Sequence, residues 1–245
     1  MGKLRIGVIT NPNSKKNRAR HGRAAELQRI LGDRGVVRET RSVEDIQPVI
    51  REFLEQDVRY WVSDGGDGAL HWLINEAQPE FAARGLGLPV TVPTNGGTID
   101  FVAKKVGIRG QADQILAKLV EAEAAGQGLP VEEVPSFIMS GTRVEAGGVE
   151  RPFEKIGFTA AVCGVGQRFF DLYYLEPLPG PDTLVKIIAK GVASIALNAP
   201  VVRSLPLVPR AWREYVHYML KPHEVRVHVD GRRLPEPAQR ALHVG

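Results

Sequence analysis

The chain has 245 residues, of which 43% are hydrophobic and 24% charged, ordinary values for a globular protein of one large or two modest domains. Its apolar runs are all too short for a membrane-spanning helix. The opening residues MGKLRIGVITNPNS lack the apolar core of a secretory signal, and the single cysteine, Cys163, excludes an internal disulfide, so a reducing cytoplasm is expected. A net charge of +4 and a pI near 9.3 favour anionic partners such as nucleotides, phosphates, an acidic membrane surface or nucleic acid, without choosing among them.

In chain order, Leu4 to Thr10 reads as a short apolar strand. Residues 20–34 place Ala24, Leu27, Ile30 and Leu31 at helical spacing and stop at Gly35. A strand over Val36–Thr40 follows. Residues 42–54 read as a helix with Ser42 as N-cap, Glu44 and Asp45 in the first turn, and Pro48 shortening it. Arg59–Ser63 is the third strand. A helix begins at Ala69, a strand covers Leu88–Val92, and helices cover Phe101–Val106 and residues 111–125. Strand–helix alternation of this kind predicts a mostly parallel sheet covered on both faces.

The pattern changes near residue 127. Gly126, Gly128 and Pro130 break the helix, and the valine-rich stretches VEEVPSFIM, GTRVEAG, KIGFTAAVCGV and EVRVHVDG read as antiparallel strands. One helical insertion, Thr183–Leu197, and a proline-punctuated loop, 199–210, interrupt them. The expected organisation is an α/β nucleotide-binding domain over 1–126 and a β-rich, antiparallel, sandwich-like domain over 127–245.

Three loops leave the carboxyl ends of first-domain strands, where ligands of parallel α/β sheets sit. They are TNPNSKKN (10–17), SDGGDGA (63–69) and PTNGGTID (93–100). Glycine lets backbone N–H groups approach a phosphate, and a helix N-terminus behind the loop adds positive partial charge. Lys15, Lys16 and Arg18 add formal charge beside the first loop. Three readings stay open for Asp67 in the middle loop: a ligand of Mg²⁺, a hydrogen-bond acceptor for a loop or sugar hydroxyl, or a proton carrier; a simple helix cap is the plain alternative. Neither GxxxxGK[ST] nor GxGxxG is present.

NPNS at 11–14, GGDGA at 65–69 and GGTIDFVAKKVGI at 96–108, in this order, resemble the diacylglycerol kinase catalytic-domain family of diacylglycerol, sphingosine and bacterial lipid kinases. The middle motif is shared with the distantly related NAD kinases. KIGFTAAVCGVGQRFFD is similar to a second-domain strand of the family. The resemblance implies ATP as phosphoryl donor, Mg²⁺ as cofactor and a lipid hydroxyl as acceptor, with a cytoplasmic enzyme working peripherally at a membrane. Carried over by position, Asn11 and Ser14 form the first wall of the nucleotide site, Gly65, Gly66, Asp67 and Gly68 the second, and Gly96, Gly97 and Thr98 the third; Lys15 joins the first wall by its charge beside that loop. Asp67 is the candidate catalytic residue, and the metal's position is left open.

Two positions depart from the family pattern: Ala69 stands where the family has threonine, and Asp100 where it has asparagine. A carboxylate at 100 needs a cation nearby, and Lys104, one helical turn on, is the expected one. The family chain is longer, and its late Asp-Gly-Glu acid has no clear counterpart. VDGRR at 229–233 reads as a hairpin turn at Asp230 rather than as a general base, and an incomplete second domain is expected. The six histidines show no zinc spacing, and Cys163 reads as core rather than nucleophile. Residues 183–197, with Lys186 and Lys190 one turn apart, suit either packing within their own domain or contact with a membrane surface. The alternatives to a lipid kinase are an NAD-kinase-like or other small-molecule kinase and a non-catalytic nucleotide- or lipid-binding relative. No aromatic-basic surface points to nucleic acid.

Overall fold

The computed structural model describes residues 6–244 except 146, 159, 178, 200–209, 236–237 and 240. The expected strand start at Leu4 and most of the proline-punctuated loop 199–210 lie outside the described residues. The chain divides into two compact units, 1–159 and 160–245.

The first unit is built on four parallel strands: β1 (Ile6–Thr10), β2 (Gly35–Glu39), β3 (Tyr60–Asp64) and β4 (Val90–Pro93), in the order β2-β1-β3-β4. Strand alternation decides which helices cover which face. Ile6, Val8, Tyr60 and Val62 pack against α1 (Arg23–Leu31) and α5 (Ala112–Ala124) through Leu27, Leu31, Leu116 and Leu119. Ile9 and Trp61 point the other way, into α2 (Ile46–Glu55) and α3 (Asp67–Ala82). There Trp61 lies edge-on between Phe53 and Phe81, with ring centroids 5.3 and 5.4 Å away. Gly7 makes room for this packing, since a Cβ there would sit 2.4 Å from the Phe53 ring.

Helix α2 starts at Ile46 rather than at residue 42. The Asp45 carboxylate accepts the N–H groups of Arg41 (2.8 Å) and Ser42 (2.9 Å) and holds 42–45 as a turn, displacing Ser42 from the expected cap. Pro48 falls in the first helical turn, where an N–H has no intrahelical partner to lose.

The change to β-rich sequence at residue 127 and the division into compact units do not coincide. The antiparallel hairpin β5 (Phe137–Val144) and β6 (Glu150–Gly157) belongs with the first unit. Buried Asn75 of α3 explains why: its amide donates to the Ile156 carbonyl (3.0 Å) and accepts the Ile156 N–H (2.8 Å), acting on β6 as a neighbouring strand would. Lys155 lies over the Trp72 ring at 5.1 Å.

In the second unit β7 (Ala161–Gly164) pairs antiparallel with β12 (Ala241–Val244). The partner of this last strand thus lies upstream in the sequence. Among the described residues three helices follow β7, where the sequence pattern gave one: α6 (Val165–Leu175), α7 (Pro181–Leu197) and α8 (Arg210–Leu220). Buried Ser194 of α7 accepts the Val216 N–H of α8 at 2.9 Å. The short strands β8 (His223–Glu224), β9 (His228–Val229), β10 (Arg232–Arg233) and β11 (Ala238–Gln239) form antiparallel pairs β8–β11 and β9–β10. Asp230 (φ 49°) and Gly231 (φ 77°) make the two-residue turn between β9 and β10. Positive φ at both positions is the hairpin geometry expected of Asp-Gly. Among the described residues no helix is long and apolar enough to cross a membrane.

Candidate functional site

β1 and β3 are neighbours, and the chain leaves β1 toward one edge of the sheet and β3 toward the other. Loops that diverge in this way open a crevice at the carboxyl ends of the strands, the usual ligand position of such sheets. The loops 10–17, 63–69 and 93–100 all leave this edge.

Backbone contact locks the second and third loops together. A Cβ on Gly66 would stand 2.7 Å from the Gly97 Cα, and one on Gly97 would stand 2.6 Å from the Gly66 Cα. A Cβ on Gly96 would lie 2.9 Å from the Gly65 backbone, and the Gly96 N–H donates to the Gly65 carbonyl at 3.0 Å. Gly65 in turn faces the Ser14 hydroxyl and the Ala69 methyl. These four glycines therefore serve loop-on-loop packing. Gly68 alone of the candidate glycines faces open space, with nothing within 4 Å of its Cβ position. The Asn11 side chain accepts the Asn13 N–H at 2.8 Å and shapes the first loop. Lys15 and Thr98 are exposed.

Asp67 opens α3, half-buried, and accepts the N–H groups of Phe101 (2.8 Å) and Val102 (3.1 Å). Of the readings left open for it, the loop-holding hydrogen bonds are the ones seen: its carboxylate caps the short helix α4 (Phe101–Lys105). Each carboxylate oxygen keeps a second lone pair.

Asp100 is buried and left-handed (φ 53°, ψ 50°), a conformation that Asp and Asn adopt more readily than most residues. It accepts the Gly97 N–H (2.7 Å) and the Lys16 ammonium (2.9 Å). The counter-cation is thus Lys16, reaching across from the first loop, and not Lys104, which turns back onto the Ile99 carbonyl. Lys16 also donates to the Asn95 carbonyl, so one ammonium ties the first loop to the third.

The sequence reading missed Asp64, the last residue of β3. It is 1% exposed and accepts hydrogen bonds from Thr10 (2.7 Å), Asn17 (3.2 Å), Arg23 (3.3 Å) and Thr94 (3.3 Å). Its backbone carbonyl accepts the Asn11 N–H and the Asn17 amide, both at 3.1 Å. One carboxylate thus joins the ends of β1 and β4, the first loop and α1. Burial works against the charge of Arg23, but Asp64 and Glu26 outweigh it and raise the Arg23 pKa above its ordinary value. The available signal was a run of polar residues, Thr10, Asp64 and Thr94, at the ends of apolar strands.

Among the described residues no three His, Cys, Asp or Glu side chains converge as a metal site. The Asp64 and Asp100 carboxylates are buried and hydrogen-bonded, which leaves Asp67 as the one half-exposed acid of the three loops.

No curated protein matches the chain. A candidate diacylglycerol kinase from Bacillus anthracis str. Sterne aligns over 99% of this chain and 65% of its own, at 14% identity and a TM-score of 0.51, a likeness of fold. A diacylglycerol kinase from the same organism aligns over 70% of this chain and 53% of its own, at 18% identity and a TM-score of 0.41. The chain thus spans between about half and two thirds of the length of these proteins. Residues 5–127, half of the chain, match the family model described as the diacylglycerol kinase catalytic domain, and the chain belongs to that family.

Proposed function

We propose that this protein binds ATP at the three interlocked loops and transfers its γ-phosphoryl group to the hydroxyl of a lipid, as a cytoplasmic enzyme working peripherally at a membrane surface. One observation carries the reading: the loops after β1, β3 and β4 are fixed to one another at the β1/β3 switch point, leaving Gly68, Thr98 and Lys15 exposed. Family membership supports the lipid acceptor. Phosphoryl transfer demands positioning and charge neutralisation more than covalent chemistry, and a rigid backbone framework with an exposed lysine suits that demand. In the first turn of α3 the Ala69 and Leu70 N–H groups donate to the Gly66 carbonyl, and those of Asp67 and Gly68 are the ones that a helix start leaves without an intrahelical acceptor and that favour an anion.

The acids present fit a magnesium ion that arrives on the nucleotide rather than a resident one. Mg²⁺ is commonly held by one or two carboxylates plus substrate phosphates, and Asp67 is the residue that would meet it. Bound there, the ion would neutralise charge on the phosphate oxygens. The chain's own contribution is to hold Asp67 in place through the α4 backbone and to keep Lys15 at the rim.

Incubating the protein with labelled ATP and a panel of diacylglycerol, sphingosine and NAD tests the function. A labelled lipid is the expected product. Label on NAD alone would reassign the protein to small-molecule kinases, and ATP binding without any product would make it a non-catalytic relative.

Two substitutions test the site. Gly68→Val places a side chain where nothing now stands, and ATP affinity measured by calorimetry is expected to fall at least about tenfold, roughly 1.4 kcal/mol, with little change in melting temperature. Unchanged affinity would remove Gly68 from the site. Asp67→Asn is expected to lower turnover at least about tenfold, a similar loss in transition-state stabilisation; steady-state rates equal to wild type would leave Asp67 as a helix cap only.

A further inference from the structure

We infer that α7 is the surface by which this protein docks on an anionic lipid bilayer. The inference deepens the lipid-kinase reading by naming the face that meets the membrane. Helix α7 buries one side, Thr183, Ile187 and Ser194, within its own unit. Its opposite side is apolar and open: Leu184, Val185, Ile188, Val192 and Ile195 are 42 to 63% exposed. At 100° per residue these five fall within an arc of about 100°, and no charged residue lies among them. A helix packed only within its own domain would carry polar residues on that side.

Lipid is favoured over protein as the occupant by charge. Residues 160–245 contain 11 Lys and Arg against 7 Asp and Glu, while residues 1–159 contain 21 of each. The whole +4 excess of the chain therefore lies in the unit that carries α7. A second copy would set two such units against each other, and like charges oppose that pairing; an anionic bilayer attracts the same unit. Lys186 and Lys190 lie on the far side of α7, about 150° and 170° from the middle of the apolar arc by the same rotation, Lys186 held by Glu176 at 2.7 Å. The geometry suits a helix lying flat with its apolar face among acyl chains, while the net positive charge of the unit as a whole draws it to anionic headgroups; no described helix is able to cross the bilayer.

The test is co-sedimentation of the full chain with vesicles of phosphatidylcholine alone and of phosphatidylcholine mixed with phosphatidylglycerol. The protein is expected to sediment with the mixed vesicles and to bind the neutral ones at least about fivefold more weakly, since each lysine near an anionic surface contributes about that factor. Ile188→Glu combined with Val192→Glu changes exposed positions only and is expected to lower binding at least about tenfold at an unchanged melting temperature. Should that double variant fail to fold, Val192→Trp gives a second readout, a blue shift of its emission on adding mixed vesicles. Wild-type protein that stays in the supernatant, a folded double variant that binds as wild type, or a Trp emission that does not move would overturn the inference. So would a concentration-dependent dimer that the double variant dissolves, which would make a second copy the occupant. ATP binding, which depends on loops of residues 1–159, is expected to be equal in all variants. Lost vesicle binding with intact ATP binding therefore counts against α7 alone, and absent ATP binding in a protein that binds vesicles counts against the kinase reading alone.

Discussion

Asp64→Ala is expected to lower the stability of the first unit by about 3–5 kcal/mol, the range for removing one partner of a buried ion pair. The substitution leaves the Arg23 guanidinium, 4% exposed, with Glu26 alone, and strips an acceptor from Thr10, Asn17 and Thr94 at once. Each donor left buried without a partner adds its own desolvation cost. Asp64→Asn separates charge from geometry. Its carbonyl oxygen is able to keep the bonds from Thr10, Asn17 and Arg23, while its amide turns to the Thr94 hydroxyl, so its cost is expected to be about half or less of that for alanine. Total stabilities are commonly 5–15 kcal/mol, so the alanine variant should be marginal and the asparagine variant folded. Urea unfolding followed by tryptophan emission measures both, since Trp61 is buried in this unit. A loss below about 1 kcal/mol for Asp64→Ala would reduce the network to a set of independent surface-strength contacts.

The first unit was legible because its strands are apolar runs that each lead into a glycine- or asparagine-rich loop. Period and punctuation there agree with the sheet that forms. The site itself was half legible. Motif position marked Gly65, Gly66, Gly96 and Gly97, but not what they face. Loop-on-loop packing is a long-range contact, and nothing in a local window distinguishes it from room for a phosphate. The partner of Asp100 was missed for the same reason: Lys104 is near in sequence, while Lys16 is near in space. In the second unit α6 hid behind aromatic residues, which favour strands when read one by one. The helix shows in pairs four apart, Phe169 with Tyr173 and Phe170 with Tyr174, both stacked at 6.2 Å.

Gly97→Ala and Gly68→Ala are expected to move stability in opposite directions, although both replace a motif glycine by the same methyl group. At 97 the new carbon would stand 2.6 Å from the Gly66 Cα and 2.8 Å from the Asp100 carboxylate, closer than real Cβ contacts allow. The obstacle is backbone on one side and a buried carboxylate paired with Lys16 on the other, and neither is a free side-chain end. The third loop must lift off the second, at a cost of about 1–3 kcal/mol for overpacking and with loss of the Gly97 N–H bond to Asp100. At 68 the methyl meets nothing within 4 Å, and the residue sits in the first turn of α3. Alanine there removes freedom from the unfolded chain and is expected to add about 0.4–1 kcal/mol of stability. Function should separate the same two positions: ATP affinity falls in Gly97→Ala along with stability, and falls in Gly68→Ala, if at all, in spite of a more stable fold. Thermal melts and calorimetric titrations of the two variants side by side measure both. A Gly97→Ala protein as stable as wild type would show that the second and third loops have room between them, and the picture of an interlocked site would fail with it.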